Sequence, residues 1–143
     1  MEIGFIYAIG ASIVWGLAYT LDQLILESVS PLVLLFVHSV LASVVTLPLI
    51  LLLEPRGLVA FSQTLQTQTW LVLATVTLAV LAGFFILASI KALDAQTASI
   101  IEISYPFFVV LFSMLIFRST PSAAFFLGAG LLFIGSFIVI RYA

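Results

Sequence analysis

Five apolar stretches, at 3–26, 31–53, 70–90, 97–117 and 122–140, take up almost the whole chain. Each is close to the ~20 residues that cross a ~30 Å hydrocarbon layer as a helix. Hydrophobic residues make up 64% of the 143 and charged residues 7%. An ordinary soluble domain is about 45–50% apolar and about 25% charged. An interior as large as this chain implies would outrun the surface available to cover it. The expected fold class is an all-α membrane protein with five transmembrane helices, and no soluble domain is left over. Five is odd, so the two ends lie on opposite sides of the bilayer. Two copies, joined head to tail or inserted separately, can then face opposite ways.

Charge and composition exclude several classes. A net charge of −2 is too small to point to nucleic acid or an anionic surface as partner. Cysteine is absent, which removes disulfides and thiolate metal sites. One histidine cannot supply a metal ligand set, and no histidine base is visibly linked to a serine nucleophile. No enzyme, metal or cofactor is expected. The first stretch is too long for a secretory signal, and its flank carries Glu2 instead of basic residues.

The connections carry start and stop signals. Ser30-Pro31 and Thr120-Pro121 place a hydroxyl at a cap position and proline at the first helical position, where no amide donor is missed. They predict the starts of helices two and five, and Asp94 predicts a cap for helix four. Lys91 closes helix three, where a cation suits the helix dipole. The long connection 54–69 has Leu58, Phe61 and Leu65 at helical spacing, and both a short interfacial helix and a solvated loop fit it.

Let the N-terminal side be A and the other side B. Arg56 and Arg118 fall on side A, Lys91 and Arg141 on side B. Orientation follows the Lys/Arg bias of short loops, and two against two is close to no bias. Dual topology with antiparallel pairing fits this balance. So does a fixed orientation settled by a partner protein.

An ionisable group within a span costs about 2.5–3.5 kcal/mol on insertion scales, so such groups usually face a cavity or a partner. There are three: Asp22 in helix one, His38 in helix two and Glu102 in helix four. All three are expected in the B half of the membrane. On helix one, Ala8, Ser12, Trp15, Tyr19 and Asp22 recur at steps of three and four and share a stripe. Trp15 lies too deep for an interfacial belt, so the stripe fits a cavity wall, with helix packing as the alternative.

Helix four carries the sharpest local feature. Pro106 cannot donate to the Glu102 carbonyl, so a kink is expected there, with Ser99 and Tyr105 close by. Interrupted helices near mid-membrane are where transporters place binding sites; an ordinary structural kink also fits. Pro48 is expected to kink helix two. His38 is read either as a proton relay or as a structural hydrogen-bonder. On helix five, Ala124, Gly128 and Gly135 share a small-residue face suited to dimerisation or to packing within the bundle.

Several of these pieces, in this order, resemble an EamA-type domain of the drug/metabolite transporter superfamily. They are Trp15-Gly16 and Ala18-Tyr19, Ser30-Pro31, Ala92-Leu93 through Ala98, Glu102-Ile103-Ser104-Tyr105-Pro106-Phe107, and Gly128 with Gly135. Most members are similar to two such domains fused as inverted halves. The resemblance therefore implies half of a ten-helix inverted-repeat transporter fold. It also implies an antiparallel homodimer, or a heterodimer with a similar chain, in the inner (cell) membrane of a prokaryote. The chain departs from the family's pattern at Phe117-Arg118-Ser119, at His38 and around Asp22-Gln23.

The function expected is a secondary transporter moving a small polar or cationic metabolite by alternating access. Glu102 and Asp22 would bind protons or substrate, with Trp15, Tyr19, His38, Tyr105, Ser99 and Ser12 lining the site. A flippase, or flippase subunit, for a lipid-linked sugar is the first alternative. A non-transporting membrane interaction protein is the second.

Overall fold

A computed structural model describes residues 2–142, with side chains from residue 3 onward. The Glu2 side chain, which sets the charge of the N-terminal flank, lies outside the described residues. The described chain is all helical: α1 (Glu2–Leu26), α2 (Pro31–Leu53), α3 (Gly57–Thr67), α4 (Thr69–Ala92), α5 (Ala95–Glu102), α6 (Tyr105–Phe117) and α7 (Ala123–Tyr142). Five stretches are long and apolar enough to cross a bilayer: Ile3–Leu26, Pro31–Leu53, Thr69–Ala92, Ala95–Phe117 and Ala123–Tyr142. This is an integral multi-pass membrane protein.

Hydroxyl groups inside the spans are satisfied locally. Ser12, Thr20, Ser39, Ser43, Thr46 and Thr77 each donate to the carbonyl four residues earlier, at 2.8–3.0 Å. A donor left open in hydrocarbon would be costly, and the preceding helical turn supplies the nearest acceptor.

Helix ends follow local chemistry, with two corrections to the sequence reading. Ser30 caps α2 by accepting the Val33 amide at 3.3 Å, with Pro31 first in the helix. Asp94 caps α5, accepting the Thr97 amide at 2.7 Å and the Thr97 hydroxyl at 3.0 Å. Those two bonds, the amide first, hold the Asp94 carboxyl below the ordinary carboxylate range. The last helix, however, does not begin at Pro121. α7 starts at Ala123, because Ser122 accepts the Phe125 amide with its carbonyl at 3.0 Å and faces it with its hydroxyl at 3.4 Å. The fourth span is also not one bent helix: it stops after Glu102 and restarts at Tyr105. The connection 54–69 takes the helical alternative as α3, and α2 runs through Pro48 without interruption.

The chain divides into two compact units, Ile25–Ala88 and Met1–Leu24 with Ser89–Ala143. In the first, Leu26, Leu34 and Leu87 are buried. A methyl added at Gly83 would come within 2.9 Å of the Leu35 side chain, so α4 and α2 approach closely there. In the second unit, Asp22, Ile90, Ala95, Ala98 and Ser136 are buried. They sit toward the C-terminal ends of α1, α4 and α7 and on α5. This end of the unit holds the candidate site.

Candidate functional site

Three helices of that unit are tied together by polar contacts. At the start of α5, the Ala95 amide donates to Gln23 Oε1 on α1 at 2.7 Å. This amide is among the first of the helix, which have no carbonyl partner within it. Further along, the Ser136 hydroxyl on α7 lies 3.0 Å from the Ile100 carbonyl of α5 and 2.9 Å from the Leu132 carbonyl of its own helix. Ser136 is buried, so its hydroxyl is a cross-link shielded from lipid. α5 is thus held from two sides. Ala95 and Ala98, both buried, allow this close approach.

Glu102 is the last residue of α5. Its carboxylate lies close enough to the Tyr19 hydroxyl on α1 to interact with it. Asp22 and Tyr105 are close enough for their charge and dipole to act on the same hydroxyl. Asp22 is only 6% exposed, one helical turn beyond Tyr19. Two carboxyl groups thus share the neighbourhood of one phenol, which suits the binding of a cation or of protons.

The remaining residues named from the sequence take varied places. Trp15 stacks at a tilt on Tyr19, with ring centroids 5.5 Å apart, so the upper part of the stripe is aromatic. Ser12 donates to Ala8 at 3.0 Å and Ser99 to Gln96 at 2.8 Å. Both hydroxyls keep only acceptor capacity for a ligand. Tyr105 opens α6 and is exposed. His38 belongs to the other unit, on the exposed surface of α2. Among the described residues no group of three or more His, Asp or Glu could hold a metal ion.

Sequence reasoning missed Gln23 and Ser136. Gln23 follows Tyr19 by one helical turn and adjoins Asp22, so its position was a usable signal. Ser136 carried none beyond being a hydroxyl in an otherwise apolar helix.

The break itself has a simple origin. Pro106 lacks the amide that would return to Glu102. The Ile103 amide bonds back to Ser99 at 3.0 Å, and the Ser104 amide makes a tighter bond to Ile101 at 3.2 Å. The helix ends there, and α6 begins afresh with proline in its first turn. Beside the break, α6 and α7 enclose a half-open apolar cavity of about 500 Å³, lined by Pro106, Phe107, Ala124, Phe125, Gly128 and Phe133. Methyl groups added at Gly128 or Gly135 would meet no described atom beyond their own helix within 4 Å.

The sequence model of the EamA-like transporter family matches residues 2–141. No curated protein and no solved structure matches. The match spans all five crossings and the break that follows Glu102, and the chain belongs to the EamA-like transporter family.

Proposed function

We propose that the chain is one half of a secondary transporter of the drug/metabolite type. It pairs with an inverted five-helix partner, a second copy or a similar chain, and moves a small polar or cationic metabolite by alternating access. The observation that supports this most is the approach of the Glu102 carboxylate to the Tyr19 hydroxyl, beside the buried Asp22. A carboxylate within a span is costly unless it is paired or in use. Here Glu102 takes up a proton when the cationic solute leaves and releases it when the solute returns. Charge is conserved through each half of the cycle. Inverted pairing is supported by the even Lys/Arg count on the two sides.

The test is reconstitution into vesicles with an imposed pH gradient and an assay of amine uptake. Uptake should follow the gradient and be lost in Glu102→Gln. Coupling that survives that substitution would remove Glu102 from the cycle.

One observation favours a second function. The apolar cavity between α6 and α7 is half open, as a flippase for a lipid-linked sugar would need for the lipid chain. Gly128→Phe, which fills it, should slow lipid-linked sugar translocation in a flippase and leave amine uptake unchanged in an amine transporter.

A further inference from the structure

Helix α3 has eleven residues and no charge: Gly-Leu-Val-Ala-Phe-Ser-Gln-Thr-Leu-Gln-Thr. Leu58, Phe61 and Leu65 recur at steps of three and four and form one stripe. Gln63 and Thr67 occupy the opposite side, and Gln66 lies on the flank, with the exposed Val59 between it and Gln63. None of the eleven is buried, and the three stripe residues are 41%, 50% and 40% exposed. The described chain leaves this stripe partly open.

The chain on either side dictates what covers the rest. α2 ends at Leu53 and α3 begins at Gly57. Three fully extended residues reach at most about 10 Å, and the Gly57 amide folds the link back onto the Glu54 carbonyl at 2.8 Å. At the other end Gln68 alone separates α3 from α4. Both neighbours are membrane spans. A helix about 16 Å long, tethered this tightly at both ends, cannot leave the membrane surface. Trp70, 75% exposed in the first turn of α4, marks the same level, where aromatic rings gather.

We infer that α3 lies flat in the headgroup region of the bilayer, with Leu58, Phe61 and Leu65 turned into the acyl boundary and the glutamines toward water. Amphipathic helices without strong charge bind this region through apolar area. α3 itself carries no charge, and Arg56 before it is offset by Glu54, whose carboxylate lies 3.4 Å from the Cβ position of Gly57. The attachment is therefore to the lipid boundary and not to anionic headgroups.

The chain has no cysteine, so single cysteines can be spin-labelled without background. Leu58→Cys, Phe61→Cys, Leu65→Cys, Gln63→Cys and Gln66→Cys, each in the full chain, would be placed in phosphatidylcholine vesicles. Collision rates with oxygen and with a water-soluble nickel chelate would then be compared. The oxygen-to-nickel ratio should be several-fold higher at the first three positions, and unchanged when phosphatidylglycerol is added. Equal ratios at all five would make α3 a solvated helix and overturn the inference. Labels at Leu58 and Phe61 shielded from both reagents would mean a protein covers the stripe, which overturns it as well. Because no stripe residue is buried, these substitutions leave the fold intact, and the outcome does not depend on any transport activity.

Discussion

The fourth span is two helices with opposite characters. α5 has eight residues and carries Gln96, Thr97, Ser99 and Glu102; two of its alanines are buried, and α1 and α7 both hydrogen-bond to it. α6 has thirteen, almost all aliphatic or aromatic, and among the described residues none of them is buried. Phe107 and Phe108 meet edge to face at 5.6 Å, but as sequence neighbours, not across helices. The difference shows what a membrane demands of a polar helix. A segment poor in apolar side chains gains little from lipid, so it persists only where protein groups take up its backbone and side-chain polarity. An apolar segment needs no such support. The break at Ile103 and Ser104, set by the proline that follows, separates the pinned polar half from the apolar half.

The contrast can be broken in several ways, and the largest effect concerns function. Glu102→Gln on α5 should abolish proton-driven uptake in reconstituted vesicles, whereas Phe112→Leu on α6 should leave it near wild type. Comparable losses would mean that the acidic half has no special role.

Next in size is packing. Ala98 on α5 is 1% exposed, and Ala98→Leu should destabilise by about 1–3 kcal/mol through overpacking. Leu115 on α6 is 70% exposed, and Leu115→Ala should stay within about 0.5 kcal/mol. Steric-trap unfolding in bicelles measures both. A larger cost at Leu115 would show that α6 is packed against something in the bilayer.

Smaller again are the cross-links. Ser136→Ala and Gln23→Leu each remove one hydrogen bond to α5, and such bonds within bilayers average about 0.6 kcal/mol. The same unfolding assay should give two modest losses that roughly add, since the bonds hold opposite ends of the helix. A loss near zero for both would leave α5 held by its alanines alone.

The smallest effect lies at acid pH. Thr97 bonds favour the charged form of Asp94, whose folded-state carboxyl therefore titrates below its unfolded value. Its contribution is complete above the ordinary carboxylate range and is lost as pH falls through the depressed value. The protection of the Thr97 amide from exchange, relative to its intrinsic rate at each pH, should fall on that acid side in the wild-type chain. Asp94→Asn should remove this fall in protection.

Much of this arrangement could be read from single residues and their near neighbours. The five spans follow from run lengths, and the caps at Ser30 and Asp94 from hydroxyl and carboxylate groups placed before apolar turns. Pro106 located the interruption of the fourth span. It did not say whether the helix would bend or stop, because that depends on how Ile103 and Ser104 redirect their amides. Pro48 illustrates the other outcome, a helix that continues. At the start of α7 two neighbouring hydroxyl residues competed, and Ser122 prevailed over Thr120, two residues later than the proline suggested. For the site, the stripe on α1 and the carboxylate on α5 were both visible. Their meeting at Tyr19 and Glu102 was not, nor were the ties made by Gln23 and Ser136.

What this sequence determined alone is that the chain has five helices long and apolar enough to cross a membrane, and where one of them is interrupted. Those properties sum over residues adjacent along the chain: apolar length, a cap, a missing amide. Only the tertiary structure decided which polar groups share a neighbourhood. A contact between helices depends on the rotation and depth of both at once, and each residue added or removed turns a side chain by roughly 100° about its axis.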